Sequence, residues 1–446
     1  MVEHALGGGV QRHVWELVFF FSSSASFLVL APIPGGLLRI SHSIPDLPSP
    51  LYFDTRREIP ALRQFLAECA LSRIHYHHMI QLPWDIARLP LDLNLPYDFT
   101  AHDYFSFCPQ ITLTSENFRY CGEPAEAECN SCLAIRPTSD GESIEAWRSR
   151  FREFVEGAER VFAPTPGVVD RLKKHFPTAN LVLAPHPEGP ERGISQDPRW
   201  RYEGKGPLKV LVLGALNPTK GPDLLEVVAL DAHARGLALE FHLLGSAYRT
   251  LRAQPESSLI VHGRYRDQDL DHLIETLSPH LVWFPAQWPE THSYTLSAAI
   301  RHGLPVAAPN FGAFRDRLAG RPLSWLPPWD MKASAWNDLF MRLRSDASDA
   351  PEYLLKDTVQ PVNFSYEEDY LLKSEHPKPT QVHSGLDLRT HARSWRLSKE
   401  FISGYLMSFA HTGLRRIYTL PAVRRIAALL VPEYKVQLFR RWLGRY

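Results

Sequence analysis

Short apolar runs alternate with amphipathic segments over the second half of the chain. The runs are LKVLVLG, LEFHLLG, SLIVHG, HLVWFPA and LPVAAPN, and the segments between them carry apolar residues at helical spacing. Strands that alternate with helices predict a parallel sheet that helices cover on both faces. We therefore expect a doubly wound α/β domain at residues 207–346.

The first half of the chain repeats this pattern with the runs SFLVLAP, LPYDFTAHDY and RVFAP. It predicts an N-terminal Rossmann-like domain at residues 1–190, with a cysteine-rich loop at 108–132. A polar stretch rich in proline and glycine at 191–206 is typical of a linker. The two Rossmann-like domains are expected to face each other across a cleft, and the weaker pattern at 347–446 predicts a helical C-terminal extension.

Three consecutive glycines, Gly7, Gly8 and Gly9, precede a segment whose apolar spacing from Val10 onward is helical. A glycine turn that opens a helix presents backbone N–H groups at the positive end of the helix dipole, which suits an anion. Only six residues precede Gly7, too few for the strand that such a turn normally follows. We therefore expect that the authentic protein begins upstream of Met1.

The length of 446 residues is too great for one hydrophobic core, and the 49 basic and 49 acidic residues cancel. Phosphate neutralisation needs excess positive charge, so the balance argues against a nucleic-acid partner. No apolar stretch is long enough to span a bilayer, and the N-terminus lacks the basic residues of a signal peptide. We expect a cytoplasmic protein.

The segment from Gly413 to Tyr446 contains eight basic residues and one glutamate. It is either an amphipathic helix that lies on anionic lipid at the inner membrane face or an ordinary solvated helix.

Four of the five cysteines, Cys108, Cys121, Cys129 and Cys132, have the spacing C-x12-C-x7-C-x2-C. Tetrahedral zinc takes four soft ligands, and a CxxC pair supplies two of them from adjacent positions. The spacing favours a structural zinc site, and the alternative is a set of reduced thiols that pack a loop. Cys69 stands alone and is predicted to be a small buried apolar residue.

Several motifs together resemble the GT-B glycosyltransferases of the retaining family 4 type. They are GGGVQRHV, LGALNPTKGPDLL, FHLLG, VHGRY and FPAQWPETHSYTLSAAIRHGLPVAAPNFGAF, and the resemblance extends roughly from Leu6 to Asp330. HDYFSFCPQITL, YCGEP and the CxxC pair are similar to bacterial enzymes of polysaccharide assembly. The resemblance implies transfer of a hexose from a nucleoside diphosphate sugar to a hydroxyl of a free or lipid-linked glycan. It also implies that catalysis needs no bound metal.

The resemblance implies roles for particular residues. Glu290 would contact hydroxyls of the donor sugar, and His102 would reach that sugar from the N-terminal domain, so both are candidate catalytic residues. The donor diphosphate would be held by Lys220, Gly7, Gly8, Gly9, Tyr294, Thr295 and Leu296. The nucleotide would contact Gly214, Gly263, Arg264 and Tyr265. A lysine after a glycine turn suits a phosphate on chemical grounds as well, although a solvated turn lysine is the alternative for Lys220.

Two positions depart from the family pattern. Ala298 occupies the place of a second glutamate that would hold the ribose, and Ala215 occupies the place of an arginine that would help to grip the diphosphate. These departures keep two alternatives open: a degenerate scaffolding subunit without transferase activity, and a sugar-nucleotide epimerase of the same fold. Three histidines at 75, 77 and 78 lack a nearby cysteine or carboxylate, so we expect pocket lining there rather than a metal site.

Overall fold

The computed structural model describes residues 1–42, 49–187, 197–356 and 362–371. The described chain forms two compact units. The first contains Met1–Thr100, Ala158–Arg160 and Leu371, and the second contains Ala101–Gly157 and Val161–Tyr370. The domain boundaries predicted from the sequence stay predictions. Most of the predicted extension at 347–446, including its basic segment, lies outside the described residues.

The elements of the first unit are α1 (Gly8–Phe21), β1 (Leu28–Ile33), β2 (Leu37–His42), β3 (Leu51–Asp54), α2 (Ile59–Glu68), β4 (Ile74–Tyr76), α3 (Leu89–Leu93) and β5 (Tyr97–Thr100). Strand β6 (Arg160–Ala163) begins with Arg160 of the first unit and continues in the second. The remaining elements of the second unit are α4 (Glu126–Ile135), α5 (Ile144–Glu156), α6 (Pro166–His175), β7 (Leu181–Leu183), β8 (Leu208–Leu216), α7 (Pro222–Ala234), β9 (Leu239–Ala247), β10 (Leu259–Gly263), α8 (Leu270–Leu277), β11 (Leu281–Trp283), α9 (Tyr294–Arg301), β12 (Val306–Ala307), α10 (Gly312–Leu318), β13 (Ser324–Trp325) and α11 (Ala333–Ser345).

The first unit contains an antiparallel sheet that the sequence pattern did not predict. Strand β2 pairs with both β1 and β3 in antiparallel fashion. Gly35 and Gly36 have φ angles of 93° and 79° between β1 and β2. Glycine adopts these left-handed angles without a steric penalty, so the chain reverses at once and the two strands become neighbours. Strands β4 and β5 pair in parallel, as a doubly wound pattern requires.

The residues before the glycine turn pair like a strand in spite of their small number. The backbone N–H of Val2 donates to the carbonyl of His75 (2.8 Å), and the N–H of Glu3 donates to the carbonyl of Leu30 (2.9 Å). Val2 thus bridges β1 and β4 in parallel. Helix α1 then begins at Gly8, so two of the three glycines that were predicted to precede the helix lie within it, and Gly7 stands before it at a φ of 76°.

The second unit is built on a parallel six-stranded sheet in the order β10-β9-β8-β11-β12-β13. Alternate residues of β8 enter opposite apolar cores: Val210 and Val212 pack on the side of α7 and α11, whereas Leu211 and Leu213 pack on the side of α9 and α10. Burial on both faces is typical of parallel sheets, and it explains why these strands read as continuous apolar runs. The predicted α/β class with parallel sheets is confirmed.

The strand order reverses direction between β8 and β11. From β8 the chain adds β9 and β10 on one side, and it then returns to place β11 on the other side of β8. In open α/β sheets, ligands bind beyond the carboxyl ends of the strands at such a reversal. The loops after β8 and β11 are therefore the first place to look for a site. Among the described helices, none has both the length and the apolar character needed to cross a membrane.

Candidate functional site

Lys220 and Glu290 meet where the strand order reverses. Lys220 follows β8 in a turn that the Asn217 side chain closes by accepting the Lys220 backbone N–H (3.1 Å). Glu290 lies in the loop between β11 and α9. The Lys220 Nζ is 3.5 Å from Glu290 Oε1, and the glutamate side chain is only 7% exposed. The structure thus brings together the two residues predicted to bind the phosphate and sugar parts of a donor.

Glycines permit the close approach of these two loops. Gly221 has a φ of 74°, and a Cβ there would overlap the carbonyl oxygen of Pro285 in the loop after β11. Gly214 has a φ of 101°, and a Cβ there would stand 3.1 Å from the Thr295 methyl group at the start of α9. The absence of side chains at both positions lets the ends of β8, β11 and α9 converge.

The loop from Pro289 to Ser293 is fixed by hydrogen bonds from several elements. The Tyr104 hydroxyl donates to the carbonyl of Pro289 (2.7 Å), and the Thr291 hydroxyl donates to the carbonyl of His102 (2.5 Å). Two hydrogen bonds therefore join segment 101–104 to the loop that carries Glu290. This places predicted residue His102 beside the predicted sugar-binding loop.

Helix α9 begins where the sequence predicted, so Tyr294, Thr295 and Leu296 form its first turn. Ser293 precedes the helix in a left-handed conformation with a φ of 68°. Its Oγ is 3.3 Å from Thr295 Oγ1. The first turn presents backbone N–H groups and hydroxyls at the positive end of the helix dipole, an arrangement that suits an anion.

Three histidines lie side by side next to this loop, and only His102 was predicted to be part of the site. Its ring centroid is 5.0 Å from that of His186, and the His186 centroid is 4.5 Å from that of His292. Tyr294 packs against His292 at 4.8 Å. His186 follows β7 and His292 follows Glu290, so no single motif joins them. The sequence signal for their proximity is only that each one follows a strand end.

Ala298 faces the apolar interior of the second unit. It is 3% exposed and belongs to the core between the sheet and α9. A carboxylate at this position would be buried among leucine and phenylalanine side chains, where ionisation is unfavourable. The structure therefore provides no place at Ala298 for the ribose-binding carboxylate that the family resemblance implied.

The other predicted nucleotide residues lie at the edge of the sheet. Gly263 is the last residue of β10, which is separated from β8 by β9, and Arg264 and Tyr265 follow it. Gly263 has a φ of 86°, and Tyr265 packs against the apolar core. They lie on the same side of the sheet as Gly214, because the carboxyl ends of parallel strands all point to that side.

The predicted glycine residues at 7–9 and the histidines at 75, 77 and 78 all belong to the first unit. His75 Nε2 is 2.8 Å from the Thr100 hydroxyl, and the rings of His75 and His77 are 4.0 Å apart. The His78 ring lies 4.9 Å from that of His4. Burial lowers the pKa of His75 well below its ordinary value, so this imidazole is neutral at pH 7.

The cysteine-rich segment belongs to the second unit and packs against the C-terminal part of that unit. The Tyr120 ring packs edge-on against Phe311 and Trp329. Glu123 accepts hydrogen bonds from the Tyr120 hydroxyl (2.6 Å) and from Arg171 Nε (2.7 Å). Burial opposes ionisation of Glu123, but these two partners hold its pKa below its ordinary value. The segment between Cys108 and Cys132 is therefore fixed close to α10.

The four predicted zinc ligands are near one another but are not arranged around one point. Burial and the neighbouring thiols raise the pKa of Cys108 to about 12. Cys129 and Cys132 lie three residues apart on α4, so they share a helix face. In the described part of the chain, the sulfur atoms of no three of these cysteines lie within 4.8 Å of one another.

Two arginines point at the cysteines of α4. Arg148 Nη2 is 3.8 Å from Cys129 Sγ, and Arg136 Nη2 is 3.3 Å from Cys132 Sγ. Thiolate is the form that binds metal, but burial raises the pKa of Cys121 and of Cys129, and Arg148 only partly opposes the rise at Cys129. The donor set fits zinc, although the thiols must lose their protons and the sulfur atoms must move closer together to coordinate it.

Comparison with known proteins gives one family match. Residues 7–187 match the model of Glycosyltransferase Family 4, so the first part of the chain is similar to this family. A search of curated proteins by sequence gives no match.

Several solved structures are similar to the chain. Sucrose-phosphate synthase from Thermosynechococcus elongatus is 14% identical, with 78% of this chain and 87% of that protein covered and a TM-score of 0.49. HepE from Anabaena in complex with UDP and glucose is 12% identical, with 80% and 95% covered and a TM-score of 0.46. The pneumococcal O-GlcNAc transferase GtfA in complex with UDP and GlcNAc is 13% identical, with 71% and 62% covered and a TM-score of 0.41.

Proposed function

We propose that the chain is a retaining glycosyltransferase that moves a hexose from a nucleoside diphosphate sugar to a hydroxyl of a glycan acceptor. The single observation that carries the proposal is the Lys220–Glu290 pair at the reversal of the strand order, next to the first turn of α9. A cation, a carboxylate and a helix N-terminus match the phosphate and hydroxyl groups of such a donor. The Glycosyltransferase Family 4 match at residues 7–187 supports the reaction class.

The two charged side chains take different parts of the donor. An ionised carboxylate only accepts hydrogen bonds, so Glu290 suits sugar hydroxyls and repels phosphate. Lys220 is a point charge that suits a phosphate oxygen. Tyr294 and Thr295 contribute the backbone N–H groups of the helix start to the same diphosphate, whereas the Leu296 N–H, which was also predicted to do so, donates to the carbonyl of Ser293 (3.1 Å).

In the proposed reaction, the bond between the anomeric carbon and the diphosphate oxygen breaks as the acceptor oxygen bonds to that carbon from the same side. The acceptor hydroxyl gives its proton to the departing phosphate oxygen. Negative charge grows on the diphosphate as the bond breaks, and Lys220 and the start of α9 stabilise it. Protein groups thus supply the charge stabilisation on the leaving group.

His102 would contact the sugar from the opposite side to Glu290. The Thr291 hydroxyl bonds to the His102 carbonyl, which fixes the backbone of the histidine relative to the glutamate loop. His186 packs against His102 and limits the directions in which its ring can turn. His102 is therefore proposed to orient the sugar, with His186 as its support.

The proposal is tested by binding and by product analysis. Thermal shifts with UDP, GDP, ADP, dTDP and their hexose derivatives should identify one nucleotide that raises Tm. The matching donor should then yield a glycoside whose anomeric configuration, measured by NMR, is that of the donor. Nucleotide binding without transfer would favour the scaffolding subunit, and interconversion of the donor sugar would favour the epimerase.

The acceptor is proposed to be a glycan of bacterial polysaccharide assembly, free or lipid-linked. The motif HDYFSFCPQITL and the basic segment at 413–446 support this choice. Basic residues near a membrane surface gain about 1 kcal/mol each from anionic lipid. We expect the protein to sediment with vesicles that contain phosphatidylglycerol and not with pure phosphatidylcholine vesicles. If equal amounts of protein sediment with the two kinds of vesicle, membrane binding is dropped from the proposal and a cytoplasmic enzyme remains.

A structural zinc ion is proposed for Cys108, Cys121, Cys129 and Cys132. Four thiolates supply a complete tetrahedral set, and the ion would hold the loop that carries Tyr120 against α10. Metal analysis should therefore find about one zinc per chain, because a closed site of four thiolates retains its ion through purification.

A matched pair of variants checks the zinc assignment. Replacement of Cys129 and Cys132 by serine should release the metal and lower Tm, whereas Cys69→Ser should retain it. Cys69 is a suitable control because it is also partly buried, and burial likewise raises its pKa to about 12. Reduced wild-type protein that holds no zinc and keeps its Tm in a chelator would show that the thiols only pack the loop.

A further inference from the structure

A strained residue stands immediately before the helix that would bind the diphosphate. Ser293 has a φ of 68°, in the left-handed region that disfavours residues with a Cβ. Such a conformation costs roughly 1–3 kcal/mol and persists only where the surroundings impose it. Because Ser293 immediately precedes α9, its backbone angles set the direction in which the first N–H groups of the helix point.

Arg317 on α10 binds the backbone on both sides of this strained residue. Its Nη1 donates to the carbonyl of His292 (2.8 Å) and to the carbonyl of Ser293 (3.2 Å). Its Nη2 donates to the hydroxyl of Ser297, one turn into α9 (3.0 Å). The planar guanidinium therefore links the end of the loop to the first turn of the helix.

Helix α10 is itself attached to the loop. The Ala313 N–H donates to the carbonyl of Glu290 (2.6 Å). Gly312 has a φ of 55°, and a Cβ there would press against the backbone of Pro289 and Glu290 at 2.6 Å. The start of α10 thus contacts the loop directly. Because α10 is held against the loop, the Arg317 side chain has a fixed position relative to Ser293.

We propose that Arg317 is a positioning residue: it holds Ser293 in the left-handed conformation and thereby aims the first turn of α9 at the donor diphosphate. The inference rests on the proposed function and adds to it a residue that no motif indicated. Arg317 acts through the backbone of His292 and Ser293, so its loss weakens diphosphate binding without removing a contact to the ligand.

The test combines Arg317→Met with two changes at Ser293, and its readout is the Kd of the nucleoside diphosphate that wild type binds. Arg317→Met should weaken binding roughly 5- to 150-fold, because the relaxed loop must regain a strain of about 1–3 kcal/mol when the ligand binds. Ser293→Gly removes the Cβ that makes the left-handed angle unfavourable. The double variant Arg317→Met with Ser293→Gly should therefore recover to within about threefold of Ser293→Gly alone.

Matched controls separate the conformational effect from charge and from the hydroxyl. Ser293→Ala removes the same hydroxyl but keeps the Cβ, so it should give no recovery in the Arg317→Met background. Arg317→Lys keeps the charge but loses the planar fork, so its Kd should lie between those of wild type and Arg317→Met. Arg315→Met changes an exposed neighbour on the same helix and should bind like wild type. Tm values identify any variant that fails to fold.

Three outcomes would overturn the inference, and only the third also overturns the proposed function. If wild type binds a nucleoside diphosphate and folded Arg317→Met binds it equally well, the positioning role is wrong and the proposed function stands. The same holds if Ser293→Gly and Ser293→Ala behave alike in the Arg317→Met background. If wild type binds no nucleoside diphosphate, the proposed function fails and the positioning role fails with it.

Discussion

Glu290→Gln should reduce kcat for sugar transfer by about 100-fold or more while leaving the affinity for free nucleoside diphosphate unchanged or higher. As the bond to the diphosphate breaks, the sugar ring gains positive charge, which a carboxylate stabilises and an amide does not. The glutamate is almost fully buried, so water screens its charge weakly. The affinity for free nucleoside diphosphate can rise because Lys220 no longer has Glu290 as its partner.

Lys220→Ala should give the opposite result for binding. Loss of a charged hydrogen bond is worth about 1.5–3 kcal/mol, which corresponds to a roughly 10- to 150-fold weaker Kd for nucleoside diphosphate. Calorimetric titration of both variants and of wild type with one nucleoside diphosphate measures this difference. Equal weakening by the two changes would contradict the division of the donor between them.

Gly221→Ala should lower the free energy of unfolding by about 2–5 kcal/mol and abolish measurable transfer. A methyl group would overlap the backbone carbonyl of Pro285, and neither strand end can yield without moving its neighbours. It would also force a side chain into a φ of 74°. The ends of β8 and β11 would separate, and Lys220 would move away from Glu290.

Gly236→Ala is the matched control for this substitution. Gly236 has a φ of 61°, but a Cβ there would meet no atom within 4 Å. It should cost only the left-handed penalty of about 1 kcal/mol and leave transfer intact. Chemical unfolding and initial-rate assays of both variants separate backbone strain from overlap. If the two variants lose similar amounts of unfolding free energy and transfer rate, the close approach of Gly221 to Pro285 does not contribute to either.

The Ala298 environment also changes what is expected of Ala298→Glu. The family resemblance suggested that a restored glutamate would bind the ribose. Because Ala298 packs in an apolar core, the variant should instead unfold at lower temperature and gain no nucleotide affinity.

The parallel sheet could be predicted from local patterns, whereas Glu290 was singled out because the family resemblance implied a role for it. Apolar runs bounded by turns mark the strands, and residues just beyond parallel strands must lie at one edge. The antiparallel pairing of β2 could not be predicted in this way, since it depends on the left-handed angles of Gly35 and Gly36. A glycine pair between apolar runs permits such a turn, but it does not by itself fix which strands pair.

Arg317, His186 and Ser293 were missed for a different reason. Arg317 looks like any surface arginine of a short helix, and only the packing of α10 against the loop directs its side chain to Ser293. His186 contacts His102 and His292 because the three histidines follow three different strands whose ends lie close together. The direction of a side chain and the strain of one residue are properties of packing, which hydrophobic periodicity does not record.

The strand order of the second unit has a consequence for synthesis of the chain on the ribosome. Strands β8, β9 and β10 emerge in succession and can pair at once, but the other side of β8 receives β11 only after Leu281 has been added. Until then β8, which is almost entirely apolar, is an open edge that can pair with another nascent chain. The protein should therefore aggregate most when translation pauses between β10 and β11, and chaperones that mask exposed strands should raise its yield more than a lower growth temperature does.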